Sequence, residues 1–329
     1  MKAFANANVK TLQEAAAIAR DGHRLARTVS FSGGGSDLVT LIKERLVTPD
    51  IVVNLRGANE STIAQTPQSL SVGGLVTLDA LSRHVIVRAK YAVLAEAAES
   101  VATPQIRNVA TLGGNVCQRP WCWYFRNGFP CLKNGGTTCF SVTGENQFHA
   151  IFGGGPSYIV HPSDTAPALM ALDASFRIVG PGAPRLVPAA AFFTLPRPDA
   201  TKENVLADDE IVAGVIMPAA RPNTRSTYHK IMDREAWTHA IVSAAVVFDM
   251  NGDTCTRARV VLGGVAPIPW RLPEVEKLLT GERITPELAA QAGEAAIEGA
   301  RPLEKNKYKV PLTKNLVKRT VLELARGPA

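Results

Sequence analysis

Along residues 12–22, LQEAAAIARDG, apolar side chains return every three or four positions, the spacing of a helix with one buried face. TLQE at its start has the form of a capping box, in which a threonine and a glutamate satisfy free N–H groups of the first turn. ARTVSFS (26–32) and DIVVNL (50–55) read as strands, with GGGSD as a tight turn and LVTLIKERL as a helix between them. This first lobe reads β-α-β and closes near residue 57. A middle lobe runs from 58 to about 220. In it SLSVGGLV reads as a strand, TLDALSRH and YAVLAEAAESV as helices, and SYIVHPSDTAPALMALDASFRIVG as strand, turn, helix and strand. The last lobe, 221–329, opens with two long β runs about Asn251-Gly252, a dipeptide favoured in hairpin turns. PEVEKLLTG, TPELAAQAGEAAIEGA and TKNLVKRTVLELARG follow as helices, so a sheet with helices on one face is expected there.

Bulk properties narrow the function class. A chain of 329 residues is about twice the usual length of one domain and leaves room for two or three lobes with cores of their own. No apolar run approaches the 18 or so residues of a membrane span, and MKAFANANVK lacks a secretory leader, which points to a cytoplasmic protein. Export together with a partner that carries a signal would leave the same sequence and a periplasmic location. Lys and Arg exceed Asp and Glu by 36 − 29 = 7. The densest basic stretch holds Arg301, Lys305, Lys307, Lys309, Lys314, Lys318 and Arg319. With only Tyr308 among them for stacking, it suits an acidic protein surface better than a nucleic acid.

The chemistry concentrates in three motifs. SFSGGGSDLVTLIK sets three glycines between a strand and a helix, where bare backbone N–H groups can face a phosphate. Its spacing is neither that of a dinucleotide fingerprint nor of a P-loop. ATLGGN (110–115) repeats the logic in the middle lobe, and HPSDTAPAL adds Asp164 at a helix start, a place where a carboxylate often serves only as a cap. Two cradles from different lobes suit a long ligand containing a diphosphate. Next comes a cysteine-rich run with Cys122, Cys131 and Cys139 spaced C-x8-C-x7-C and Cys117 upstream. Zinc sites favour closer pairs, whereas iron–sulfur ligands tolerate such loops, and small buried thiols are a third explanation. Cys255, alone in the hairpin, reads as structural. The histidines show no H-E-x-x-H spacing.

FSGGGSDLV, TPQIRNVATLGGNVCQ, HPSDTAPALMALDA, LADDEIV and YHKIMDREAWTHAIVSAA together resemble the FAD-binding medium subunit of the molybdenum hydroxylase family, over essentially the whole chain. Xanthine dehydrogenase, aldehyde oxidoreductase, carbon monoxide dehydrogenase and 4-hydroxybenzoyl-CoA reductase belong to that family. The resemblance implies an α+β fold: a two-lobed FAD-binding unit of the vanillyl-alcohol-oxidase type and a C-terminal α+β domain. It implies that Ser30, Phe31, Ser32, Gly33, Gly34, Gly35, Ser36, Asp37 and Leu38 wrap the FAD diphosphate. Thr111, Gly114 and Asn115 would line the cofactor and Asp164 would bond its polar part. Lys230 matches a lysine near the isoalloxazine of relatives, and Trp237 an aromatic close to it.

The cysteine run resembles that of a branch with an additional [4Fe–4S] cluster, spanning about residues 117–157, with Cys122, Cys131 and Cys139 as ligands. The fourth cysteine of that branch falls at Ser157 here, so the last corner is open to the serine oxygen, to Cys117, or to neither. The resemblance further implies a heterotrimer with a large molybdopterin-binding subunit and a small subunit carrying two [2Fe–2S] centres. Electrons would pass from those centres to FAD and on to an external acceptor. A self-contained flavin dehydrogenase or oxidase, and a zinc-binding scaffold without redox chemistry, are the alternatives.

Overall fold

The computed structural model describes residues 1–235 and 238–327. Three sheets carry the fold. The first is parallel, in the order β1-β3-β2, from β1 (Ala5–Asn8), β2 (Val29–Ser32) and β3 (Ile51–Asn54). The helix Leu12–Arg24 crosses between β1 and β2, burying Leu12, Ala15, Ala16 and Ala19. Thr11 caps it, its Oγ1 accepting from the Glu14 N–H at 3.1 Å. Glu14 reaches back to the N–H of Lys10 at 2.9 Å, one residue outside the usual partner of a capping box.

The middle sheet is antiparallel, in the order β4-β5-β8-β6-β7, from β4 (Ile63–Gln65), β5 (Ser69–Gly73), β6 (Ser175–Val179), β7 (Arg185–Pro188) and β8 (Ile211–Pro218). The expected strand at SYIV is absent from this sheet. That segment is held by single bonds instead: Tyr158 O accepts from Ala150 N at 3.0 Å, and His161 N donates to Ala266 O at 2.9 Å.

The third sheet is antiparallel, in the order β12-β11-β10-β9, from β9 (Thr224–Ile231), β10 (Val242–Asn251), β11 (Thr254–Gly263) and β12 (Trp270–Arg271). The lobe's own helices cover one face, as expected, and the middle lobe covers the other. Ala244, Val246, Phe248, Val260 and Leu262 share a core with Val275, Ala289, Ala292, Leu316 and Val317 of the C-terminal helices Pro273–Leu279, Pro286–Ala295 and Lys309–Arg326. The alternate residues Tyr228, Ala245, Val247 and Val261 belong to the middle lobe's core, with Leu94, Ala98, Ala168 and Leu169. Side chains alternate across a strand, so a sheet buried on both sides reads as the apolar run AIVSAAVVF, broken only by Ser243.

The basic C-terminal stretch is largely occupied internally. Lys305 pairs with Glu145, Lys314 with Glu294 and Arg319 with Glu323. Lys309 is fully buried, donating to Phe148 O at 2.9 Å and Gly264 O at 2.7 Å, and burial pushes its ammonium down to about 7. Lys305 and Lys309 fasten the cysteine insertion to the C-terminal segment. Among the described residues no helix is long and apolar enough to cross a membrane.

Candidate functional site

β2 stops at Ser32, and the chain runs on as bare backbone through residues 33–37 to the helix Leu38–Lys43. Arg56 holds the carbonyl edge of this loop, Nε donating to Gly33 O at 3.2 Å and Nη2 to Gly34 O at 3.4 Å. The N–H groups of Gly33, Gly34, Gly35 and Ser36 have no acceptor among the described residues. Glycine is required at two of these positions for reasons unconnected with a ligand. A Cβ on Gly34 would stand 1.9 Å from Val109 O, and Gly35 has φ +76°. The loop is thus pressed against residues 109–111 of the second lobe.

The second glycine pair behaves differently. Gly113 N–H donates to Gly74 O at 2.8 Å, and Gly114 N–H donates to Thr111 Oγ1 at 3.2 Å, capping the helix Leu112–Val116. What this pair offers a ligand is space rather than donors. Asn115 Oδ1 accepts from Ser163 Oγ and Thr165 Oγ1, each at 2.6 Å, which fixes the amide orientation and leaves Nδ2 without an acceptor among the described residues.

Between the lobes lie two cavities. One, of about 320 Å³, is lined by residues 30–38 with Thr111, Gly113 and Gly114. The other, of about 400 Å³, is lined by Asn115, Trp121, Asp164 and His239 among others. Ser36, Asp37, Gly114 and Gln118 line both, so the two are compartments of one cleft.

Asp164 is not the helix cap. Ser163 fills that role, its Oγ accepting from Ala166 N at 3.1 Å. Asp164 instead accepts from Tyr228 OH at 2.7 Å and from Lys230 Nζ at 2.7 Å. Burial raises its carboxyl above the ordinary value, with Lys230 and Tyr228 opposing that rise. Lys230 also donates to Ser100 O at 3.0 Å and lines neither compartment, so the structure places it behind Asp164. Trp237 lies outside the described residues.

Cys122, Cys131 and Cys139 line one small cavity of about 10 Å³ together with Ser141 and Ser157. Cys117 lies on the wall of the first compartment and does not line this cavity, and burial pushes its thiol up to about 12. Burial pushes Cys122 up to about 11. His149 Nε2 lies 3.3 Å from Cys122 Sγ, and Ser141 Oγ 3.1 Å from Cys139 Sγ. Among the described residues no three His, Cys, Asp or Glu side chains converge as a single metal ion would need. Cys255 is buried in β11, where its thiol donates to Arg257 O at 3.4 Å.

Cradle and insertion are tied together by Asp37, which accepts from Arg126 Nη2 at 2.8 Å and from Arg119 N at 2.9 Å. Arg126 lies over the Trp121 ring at 4.7 Å. Neither Arg56 nor Arg126 stood out in the sequence. Arg126 meets Asp37 across 89 positions, a distance no local pattern encodes.

Residues 2–220 match the family model described as FAD binding domain in molybdopterin dehydrogenase, and residues 227–324 match CO dehydrogenase flavoprotein C-terminal domain. The chain is 33% identical over 334 residues to the aldehyde oxidoreductase FAD-binding subunit PaoB of Escherichia coli (strain K12), covering 100% of both. It is 26% identical to the carbon monoxide dehydrogenase medium chain of Hydrogenophaga pseudoflava, over 91% of this chain and 90% of that one. Among solved structures, a chain of the carbon monoxide dehydrogenase from Hydrogenophaga pseudoflava that lacks the Mo-pyranopterin moiety superposes with a TM-score of 0.77 and 26% identity, covering 98% of this chain and 97% of that chain. A chain of quinoline 2-oxidoreductase from Pseudomonas putida 86 gives a TM-score of 0.77 and 25% identity, covering 99% of each.

Proposed function

The chain belongs to the FAD-binding medium subunits of the molybdenum hydroxylases, and from that premise we propose that FAD lies along the two-compartment cleft with its diphosphate on residues 30–38. Such subunits serve oxidoreductase complexes, and bound FAD supplies the electron-transfer chemistry. The chain's own part is to bind and orient. Four unspent N–H groups would serve the phosphates, Arg56 holds the carbonyl edge of that loop, and Asn115 Nδ2 and Asp164 present fixed polar ends to the second compartment. Arg126 offsets the charge of Asp37 beside the phosphate seat. The partners in this reading are a large molybdopterin-binding subunit and a small subunit with two [2Fe–2S] centres, with an external acceptor beyond FAD. A self-contained dehydrogenase would need a substrate base in the cleft, and the two carboxylates on the wall of the second compartment, Asp37 and Asp164, are both engaged.

One observation carries the reading: Ser36 is exposed, lines both compartments and sits in the loop whose N–H groups are unspent. Ser36→Phe should therefore fill the junction without disturbing the core and give folded, flavin-poor protein. Normal flavin absorbance in a folded Ser36→Phe variant would refute the placement. Gly34→Val is a poorer probe, because its side chain would strike the Val109 carbonyl whether or not a ligand is present.

For the insertion we propose a [4Fe–4S] cluster on Cys122, Cys131 and Cys139 with the Ser157 oxygen at the fourth corner. Each ligand of such a cluster takes a different iron, so ligands ring a cavity and need not meet at a point, which is how these four side chains are disposed. The donor set fits; the narrow cavity requires the side chains to part. Serine is a harder, poorer ligand for iron than a thiolate. Ser157→Cys should then raise iron content and cluster lifetime in air at unchanged flavin content. Iron analysis and low-temperature paramagnetic resonance of both forms decide this, and an iron-free subunit in both would leave the insertion purely structural.

A further inference from the structure

The loop FGGGPSY, residues 152–158, borders a second concavity that belongs neither to the cleft nor to the cysteine cavity. This cavity, of about 260 Å³, is lined by Gly153, Gly154, Gly155, Tyr158, Arg197 and Arg301, together with Ile151 and Leu195. The base of the loop is fixed. Ile151 and Phe152 both donate to Val265 O, at 2.8 and 3.1 Å, and Phe152 stacks on Trp270 with ring centres 5.3 Å apart. Two of its glycines are packed as bare backbone against rings. A Cβ on Gly154 would stand 2.4 Å from the Tyr158 ring, and one on Gly153 would stand 3.1 Å from Trp270 at a φ of +59°.

This construction leaves donors unspent. Among the described residues, the N–H groups of Gly153, Gly154 and Gly155 have no acceptor. Arg197 and Arg301 are exposed, and among the described residues neither enters an ion pair; Arg301 Nη1 meets only Ala300 O, at 3.1 Å. Among the described residues no carboxylate lines the cavity. Three consecutive amide donors and two guanidiniums on one concave wall favour a compact anion of high charge. Consecutive backbone N–H groups make anion-binding nests, and the guanidinium fork matches phosphate geometry.

We propose that this cavity binds a phosphate group, either free phosphate or the phosphate of a small nucleotide, separately from the FAD diphosphate. None of its lining residues lines the cleft, so occupancy should leave the flavin untouched. The test is calorimetric titration of the native, flavin-loaded complex in phosphate-free buffer, with inorganic phosphate in one series and AMP in another. Arg197→Ala and Arg301→Ala should each weaken binding roughly tenfold or more, as loss of a charge-assisted contact does, and the double variant should abolish it. Flavin absorbance should be unchanged throughout. Tighter binding of AMP identifies a nucleotide as the source, and equal binding identifies phosphate itself. Absence of binding for both anions, or affinity indifferent to both arginines, overturns the proposal.

Discussion

Lys230 and Asp164 are sealed together with 3% and 5% of their side chains exposed. Removing one partner of such a pair strands the other, whereas removing both leaves only a packing problem. Lys230→Met should accordingly cost about 3–5 kcal/mol in the flavin-free protein, measured by denaturant unfolding, with most of it regained in Asp164→Leu/Lys230→Met. A loss below about 1 kcal/mol, the size expected of an exposed pair, would show that the charge is not stranded. His161 gives a pH dependence of known sign. It is 4% exposed, and burial pushes its imidazole down to about 3 from the ordinary 6.5. Below about pH 6.5 the unfolded chain takes up a proton that the folded chain refuses, so the contribution is complete above that pH and is lost as pH falls toward 3. The slope is at most about 1.4 kcal/mol per pH unit. His161→Gln should flatten the stability curve between about pH 6.5 and pH 4.5, and parallel curves for the two proteins would refute this assignment.

The long hairpin shows at the scale of an element what a sequence discloses. Its turn lies one residue later than Asn251-Gly252 suggested: Asn251 pairs with Thr254, so the loop residues are Gly252 and Asp253. Gly252 has φ +58°, the demand of a type II′ turn on its first central residue. Among the described residues nothing lies within 4 Å of a Cβ there, so Gly252→Ala meets no clash and should still lose about 1 kcal/mol through backbone strain alone. Equal thermal stability of the two proteins would show the strain to be absorbed elsewhere. The hairpin and the C-terminal helices were legible because each follows one local rule of spacing. The glycine cradle was legible because three glycines in a row leave few other uses. SYIV misled because a short apolar run has the same appearance whether it joins a sheet or is tied down by two single bonds. The locks that shape the site, Arg56 on the cradle carbonyls, Ser163 and Thr165 on Asn115, and Arg126 on Asp37, are pairings across the fold and leave no periodic trace.

For the whole molecule, the decisive feature is a sheet shared by two cores. The residue-220 boundary marks a change of sequence character, and the family models also divide the chain near it, between residues 220 and 227. Physically the boundary cuts through a packed interface. Tyr228, Ala245, Val247 and Val261 lie in the same core as Leu94, Ala98 and Leu169. Burial of each larger apolar side chain contributes about 1.5–3 kcal/mol, so stripping this face costs a sum comparable to the whole net stability of a domain, about 5–15 kcal/mol. Glu96 adds polar ties across the same interface, accepting from Thr227 Oγ1 at 2.9 Å and from Tyr228 N at 2.7 Å. The chain should therefore unfold in one cooperative transition despite its two family modules. Residues 221–329 expressed alone should be unfolded or aggregated by circular dichroism and gel filtration, because the exposed face carries contiguous apolar strand surface. Co-expression with residues 1–220 should restore a soluble pair, since the missing half of the core is supplied in trans. A lone C-terminal fragment that is monomeric and melts cooperatively would show that its own three helices suffice, and that the shared sheet contributes little to the fold.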